Sequence, residues 1–173
     1  ACMLGTGRPF VLEISQPRIR DIDLDELEAR ANESILAQYH GLHFVPRSAV
    51  AMYKESDPDK TYRAKVVCEG RIDPDKVKET ASKFVDVCLD QRTPQRVEHR
   101  RADLVRKRTV YWIKAENITE DSFDLVLKTQ SGTYIKEFVS GDEGRTQPNF
   151  SETYGAQCKV DLLDVQEIDF RDD

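Results

Sequence analysis

The sequence lacks a long hydrophobic run. No apolar stretch among its 173 residues approaches the roughly 20 that a membrane-spanning helix needs, which argues against a transmembrane protein. The first residues contain no basic stretch followed by an apolar segment, so we expect no secretory signal peptide. These two absences predict an intracellular protein, cytoplasmic or nuclear, with no membrane partner.

Cysteine is scarce and scattered. The four cysteines include no Cys-x-x-Cys pair, whereas zinc sites are usually built from closely spaced ligand pairs, so we expect no metal site. A disulfide framework requires an oxidising compartment, and nothing in the sequence indicates secretion. We therefore expect reduced cysteines that pack as small hydrophobic side chains. They are Cys2, Cys68, Cys88 and Cys158.

The charge is unevenly distributed along the chain. The net charge is −6, yet residues 92–108 contain seven Lys or Arg against two acidic residues, a net of +5, with His99 in the middle. Residues 161–173 reverse this balance, with six Asp or Glu against Arg171. Because salt screens charges beyond roughly 8–10 Å, an anionic partner responds to the local basic segment. That segment is either a solvated strand paired with acidic neighbours or a phosphate-binding surface, and its arginine content favours phosphate.

The composition predicts a folded domain. Hydrophobic residues make up 39% of the chain, with six Tyr and seven Phe, so intrinsic disorder is excluded. Alternating and helical patterns intermix without regular strand–helix repetition, which predicts a mixed α+β fold, and no linker-like segment divides the chain. We expect strands over residues 10–14, 42–45, 60–69, 85–97 with a break at Pro94, 109–114 and 123–128, and one or two strands over 159–170. We expect helices over 24–35 and 73–84, and a short helix or turn over 133–139.

Four segments contain residues suited to RNA chemistry. They are Leu-Gly-Thr-Gly-Arg-Pro-Phe at 4–10, Asp-Lys-Thr-Tyr-Arg-Ala at 59–64, the arginine-rich 91–101, and Ser-Gly-Thr-Tyr-Ile-Lys-Glu-Phe at 131–138, followed by glycines and Arg145 in 141–146. In this order, and over nearly the whole chain, they closely resemble the archaeal and eukaryotic tRNA pseudouridine synthases of the Pus-ten family. The Lys-x-Tyr-x-Ala and Gly-Thr-Tyr-Ile-Lys pieces also resemble the bacterial TruB-type synthases.

The resemblance implies a reaction, a substrate and a fold. Such enzymes detach uracil from its ribose, rotate it and rejoin it through C5, using an essential aspartate and no cofactor. The family modifies uridine in the TΨC arm of tRNA, at position 54 or 55. The implied fold is an α+β domain with a mixed, mostly antiparallel sheet and flanking helices, part of a pseudouridine synthase catalytic domain.

The resemblance also implies three catalytic residues. Tyr62 matches the active-site tyrosine, which would stack on the flipped base and offset its lost stacking. Lys136 matches the basic residue that pairs with the catalytic aspartate and keeps that carboxylate ionised despite burial. Tyr134 belongs to the same motif and would form a wall of the pocket or donate a hydrogen bond.

The catalytic aspartate itself has no match. In the family it belongs to a Gly-Arg-Glu-Asp stretch just before the Leu-Gly-x-Gly-Arg-Pro-Phe segment, about two residues upstream of Ala1. We therefore expect residues 1–173 to be the C-terminal portion of the catalytic domain. The aspartate and the N-terminal RNA-binding domain would lie outside this chain, which would be inactive alone.

Six residues are candidates for RNA binding. Each of them would either contact phosphates or hold the fold through carboxylates such as Glu98 and Asp103, and the sequence leaves both alternatives open. They are Arg8, Arg96, His99, Arg100, Arg101 and Arg145.

Two other functions compete with a tRNA-modifying enzyme. One is a catalytically silent RNA-binding module with the same fold and basic groove. The other is an acidic α+β interaction domain whose likeness to the family is accidental. The residue upstream of Ala1 that matches the aspartate would separate the first from the enzyme.

Overall fold

The computed structural model describes residues 2–170 and divides into two compact units. One unit is formed by the first eight residues together with the chain from Asp57 onward, and the other is Pro9–Ser56. The assignment of residues 1–173 to one portion of a catalytic domain stays a prediction. Gly5, Gly7 and Pro9 lie around the first boundary and Ser56 and Pro58 around the second, but neither stretch is long enough to predict a linker.

The larger unit is built on one six-stranded sheet. Its strand order is β5-β2-β3-β4-β1-β6, and all of its strand pairs are antiparallel. This confirms the mixed α+β fold with a mostly antiparallel sheet. The strands are β1 (Lys60–Cys68), β2 (Val87–Arg92), β3 (Val105–Glu116), β4 (Phe123–Thr129), β5 (Thr146–Gln147) and β6 (Cys158–Ile168).

Five α-helices are found among the described residues. They are α1 (Leu24–Ala31), α2 (Ser48–Glu55), α3 (Pro74–Ser82), α4 (Ile135–Ser140) and α5 (Phe150–Tyr154). The last three pack on the sheet of the larger unit, around a core that includes the fully buried Phe84, Phe123, Phe138 and Phe150.

Helix α3 begins as the sequence predicts. The side chain of Asp73 accepts hydrogen bonds from the backbone N–H groups of Asp75 and Lys76, and Pro74 occupies the first helical position. Helix α4 ends at Gly141, whose φ of 84° lies in the left-handed region that glycine adopts without strain.

The break predicted at Pro94 is found, but the residues that follow it are helical and not extended as predicted. Strand β2 ends at Arg92, and a short 3-10 helix follows over Gln95–Arg100. Pro94 has no N–H with which to continue the sheet ladder, while the Thr93 hydroxyl donates to the carbonyl of Ala102 at 2.7 Å and closes a loop instead.

The smaller unit differs most from its sequence pattern. The strands expected at 10–14 and 42–45 are not formed, and the alternating side chains of Phe10, Leu12 and Phe44 are exposed. Helix α1 ends at Ala31 because Asn32 closes a loop. Its side chain accepts from the Tyr39 N–H at 2.6 Å and donates to the Tyr39 carbonyl at 2.8 Å.

The expectation of four reduced cysteines is wrong for two of them. Cys68 and Cys158 form a disulfide, whereas Cys2 and Cys88 are free and exposed. The pairing follows from the sheet, since the register of β1 against β6 places Cys68 opposite Cys158 across 90 residues of sequence. Spacing in the sequence does not reveal such a non-local pairing.

Candidate functional site

Two of the matched motifs meet at Ser131. The Lys60 ammonium donates to the Ser131 hydroxyl and to the Pro58 carbonyl, each at 3.3 Å. The Ser131 N–H in turn donates to a carboxylate oxygen of Asp59 at 3.3 Å. The start of β1 is thus fastened to the turn that precedes α4. Burial lowers the pKa of Lys60 more than the negative charge of Asp57 raises it, because desolvation disfavours the ammonium form.

Tyr62 lies on β1, next to the edge strand β6. It pairs with Leu127 of β4 and Val165 of β6, and its half-buried side chain packs against the core. Burial raises the pKa of its hydroxyl, so the phenol stays protonated at neutral pH. That hydroxyl makes no hydrogen bond with another described residue. Tyr62 therefore offers an aromatic ring and an unused donor.

The N-terminal segment runs beside β6, one strand away from Tyr62. The Cys2 N–H donates to the Leu163 carbonyl at 3.1 Å, and the Val165 N–H donates to the Cys2 carbonyl at 2.9 Å. Further on, the Thr6 N–H donates to the Gln166 carbonyl at 2.9 Å. A Cβ at Gly5 would collide with the Gln166 backbone, so this close approach requires glycine.

Gln91 fixes the start of α4. Its side-chain amide accepts from the Tyr134 N–H at 2.9 Å and donates to the Tyr134 carbonyl at 3.0 Å. Gln91 is only 2% exposed and extends from β2, while Tyr134 occupies the N-cap position of α4. The sequence pattern gives this glutamine no positioning role. Its only signal is that it begins the arginine-rich motif.

Arg96 is tied to the same helix. Its Nε donates to Glu137 at 2.6 Å, and the Glu137 side chain is only 6% exposed. The guanidinium carbon also lies 5.7 Å from the centre of the Tyr134 ring, within cation–π range. The hydrogen bond to Glu137 raises the pKa of Arg96. Arg96 therefore orients Tyr134 and Glu137, although its side chain remains about half exposed.

Arg145 is directed inward rather than toward solvent. Its guanidinium is 15% exposed and donates twice to the Thr93 carbonyl, at 2.7 and 3.0 Å. It also pairs with Glu98 at 3.3 Å and with Asp103 at 3.5 Å. Of the two alternatives that the sequence leaves open for this residue, these contacts favour the structural one.

The other five basic residues among the candidates are exposed and have no partner among the described residues. None of the five forms an ion pair or hydrogen bond with another residue between Cys2 and Phe170, and all are exposed. Four are candidate RNA-binding residues, and the fifth lies in the first turn of α4 between the buried Ile135 and Glu137. These residues are Arg8, His99, Arg100, Arg101 and Lys136.

Neither a metal cluster nor a membrane span is found in the described part of the chain. No three His, Cys, Asp or Glu side chains within residues 2–170 are grouped so as to hold a metal ion. Over the same residues, no helix is both long and apolar enough to cross a bilayer.

Comparison with known proteins gives a match over almost the full chain. The family model described as Pus10, C-terminal matches residues 1–169. A Methanocaldococcus jannaschii protein named tRNA pseudouridine synthase Pus10 is 40% identical over 166 residues, which cover 96% of this chain and 37% of that protein. Its namesake from Archaeoglobus fulgidus is 42% identical over 165 residues, covering 95% and 46%. The chain thus spans less than half the length of either relative.

Solved structures support the fold. A crystal structure of a Cbf5–Nop10–Gar1 complex matches 72% of this chain and 35% of the solved one, with a TM-score of 0.58 and 22% identity. An H/ACA ribonucleoprotein bound to a substrate RNA containing 2′-deoxyuridine also matches 72% of this chain and 33% of the solved one. Its TM-score is 0.51 and its identity 20%. At these identities, the likeness concerns the fold alone.

Proposed function

This chain belongs to the Pus10, C-terminal family, and from that premise we propose that it forms part of a tRNA pseudouridine synthase and supplies the base-binding side of its active site. The observation that carries the proposal is the junction at Ser131. Lys60 and Asp59 there hold the strand of Tyr62 against the turn that leads into Tyr134 and Lys136. Two motifs that lie about seventy residues apart in sequence thereby contribute to one place.

Each residue has a distinct role in the proposed reaction. The Tyr62 ring stacks on the flipped uracil, and its free hydroxyl donates to the base. Lys136, exposed and unpaired, forms an ion pair with the catalytic aspartate and keeps it ionised. Tyr134, held by Gln91 and Arg96, forms a fixed wall of the pocket. The aspartate that attacks the nucleoside lies upstream of Ala1.

We further propose the substrate and the cellular location. The substrate is tRNA, modified at a uridine of the TΨC arm at position 54 or 55. The unpaired side chains of Arg8, His99, Arg100 and Arg101 bind the phosphate backbone of the tRNA. Because tRNA is an intracellular molecule, the protein would act in the cytoplasm or nucleus.

The test compares the 173-residue chain with the longer protein that includes the upstream segment. Both would be incubated with tRNA transcripts, and pseudouridine would be separated from uridine by liquid chromatography of the digested RNA, because the two isomers have the same mass. We expect pseudouridine from the longer protein only. If residues 1–173 alone form pseudouridine, the proposal that the catalytic aspartate lies upstream of Ala1 is wrong.

A catalytically silent RNA-binding module remains the second candidate. It rests on the exposed side chains of Arg8, His99, Arg100 and Arg101, which could bind RNA without any catalytic aspartate. In that case the longer protein would bind tRNA but leave every uridine unmodified.

A further inference from the structure

A small cleft lies beside the turn before α4. It encloses about 200 Å³ and is lined by three arginines and three residues of the matched turn motif. None of these lining residues is acidic, so the cleft has three positively charged side chains and no carboxylate of its own. The lining residues are Arg101, Arg106, Arg108, Gly132, Thr133 and Tyr134.

Nearby carboxylates are engaged elsewhere. Asp90 pairs with Lys107 at 3.2 Å, on the residue between Arg106 and Arg108. Asp103 pairs with Arg92 and Arg145. Arg101, Arg106 and Arg108 form no ion pair with another described residue, so these carboxylates do not neutralise the charge of the cleft.

Arg108 has unused hydrogen-bonding capacity in this cleft. Its Nη1 donates to the Lys107 carbonyl at 2.7 Å, but its Nε is buried and has no hydrogen-bond partner. A buried donor without a partner costs free energy, more so when it belongs to a charged group. Only one other buried side-chain polar atom in the described chain is in this condition, the Thr129 hydroxyl.

Gly132 leaves the donor edge of Arg108 free of a side chain. A Cβ at this position would lie 3.2 Å from both Nε and Nη2 and 3.6 Å from the guanidinium carbon. The larger distance to the carbon places that Cβ in front of the edge that bears the two donors, rather than over the face of the group. Gly132 also has a φ of +76°, which other residues rarely adopt. Any side chain here would obstruct the edge with which arginine binds an oxyanion.

We propose that this cleft binds one phosphate group of the RNA backbone, with Arg108 as its main ligand and Arg101 and Arg106 beside it. The proposal rests on the proposed function, because it takes RNA as the partner. Arginine presents paired N–H donors that match phosphate oxygens, and the cleft has room for a phosphate group. Tyr134 lines the same cleft, so the bound phosphate lies next to the proposed base-binding side.

The first test detects the anion directly. In the ¹⁵N-labelled chain, the Nε–H resonance of Arg108 would be identified by its loss in Arg108→Lys. Titration with inorganic phosphate or with the dinucleotide UpU, which has one phosphodiester, should shift this resonance saturably. Uridine, which has no phosphate, should not shift it, nor should either anion shift Arg63, which is paired with Glu116 and Asp124. An Arg108 resonance that does not respond to either anion overturns the site.

The second test asks whether the phosphate comes from RNA. Arg108→Gln is compared with Lys107→Gln, which removes the same charge from the neighbouring residue on the opposite face of β3. We expect Arg108→Gln to weaken tRNA binding several-fold and to reduce the slope of log affinity against log salt by about 0.7–0.9, and Lys107→Gln to change the slope far less. Arg108→Lys keeps the charge but not the paired donors, so its affinity should lie between wild type and Arg108→Gln.

The outcomes separate this proposal from the enzymatic one. If Arg108→Gln and Lys107→Gln bind tRNA equally while phosphate still shifts Arg108, the cleft takes free anions and the RNA assignment is overturned. If the longer protein forms no pseudouridine but Arg108→Gln loses tRNA affinity, the enzymatic proposal fails and the phosphate site stands.

Discussion

At the scale of single residues, the two tyrosines of the matched motifs are held very differently. The backbone of Tyr134 is held by hydrogen bonds with Gln91 of β2, and its ring lies within cation–π range of Arg96 of the 3-10 helix. Residues of two other elements thus set its position. Tyr62 is positioned only by its strand and by core packing, and its hydroxyl is unused by the described residues. A side chain with a free polar end next to a packed ring suits a ligand that stacks and accepts a hydrogen bond.

Substitutions of Tyr62 separate the ring from the hydroxyl. In the longer protein, Tyr62→Phe keeps the stacking ring and should retain much of the activity, whereas Tyr62→Ala removes both and should lose far more. Pseudouridine formation rates would be compared with the melting temperature of each variant. If the loss of folded protein explains the whole loss of activity in Tyr62→Ala, the stacking role is contradicted.

Lys136 is predicted to act on the reaction and not on RNA affinity. Its side chain is exposed and unpaired in the described structure, so Lys136→Met should leave the fold intact. Without the cation, the buried aspartate is less readily ionised, and turnover should fall by roughly a hundredfold or more, equivalent to about 2.7 kcal/mol. Single-turnover rates and tRNA affinity would be measured together. A folded Lys136→Met protein with wild-type rates would refute the assignment.

At the scale of elements, the segment from β2 to β3 divides its cations between two tasks. Arg92 and Arg96, joined by Arg145 from beyond α4, hold the loop and α4 together through carboxylates and carbonyls. Arg100 and Arg101 lie at the end of the 3-10 helix and make no such contact within residues 2–170. The structural hypothesis therefore describes one set of arginines, and phosphate binding stays a prediction for the other set.

This division gives opposite expectations for two variants of the 173-residue chain. Replacing Arg100 and Arg101 together with Gln should weaken tRNA binding and reduce the salt slope by about 0.7–0.9 for each phosphate that is no longer bound. The melting temperature should stay unchanged. Arg145→Gln should instead destabilise the fold by about 1–3 kcal/mol, because it leaves the Thr93 carbonyl and nearby carboxylates without their donor. Thermal melts and salt titrations on both variants would check this. An unchanged salt slope in the double variant would exclude phosphate contacts by Arg100 and Arg101.

Local signals predicted some elements and failed for others. Helix α3 follows from Asp73 and Pro74, and the β3–β4 hairpin follows from two alternating segments around a polar turn. The apolar residues of 10–14 also predict a strand, yet none forms there, because a strand needs a pairing partner and a local pattern does not supply one. The contacts of Gln91, Asp59 and Arg108 join distant segments, so the sequence alone could not reveal them.

At the scale of the whole molecule, the larger unit is held together by a disulfide as well as by the hydrogen bonds of its sheet. The Cys68–Cys158 disulfide joins the end of β1 to the start of β6 and encloses 90 residues of sequence, including β2 to β5. In the chain-entropy account, closing a long loop restricts the unfolded chain more than the folded one. The bond should therefore stabilise the whole sheet rather than one corner of it.

Reduction of this disulfide should lower the free energy of unfolding by roughly 2–4 kcal/mol, as is typical of such bonds. Chemical denaturation with and without a reducing agent would measure the difference. The double variant Cys68→Ala/Cys158→Ala should match the reduced protein and should not respond further to the reductant. Cys2→Ser and Cys88→Ser, which alter free and exposed thiols, should behave as wild type.

Disulfides are uncommon in reducing compartments, so alkylation of thiols in freshly lysed cells would also test the proposed intracellular location. If all four thiols were alkylated there, while reduction left the stability of the purified protein unchanged, the disulfide would have no structural role in the cell.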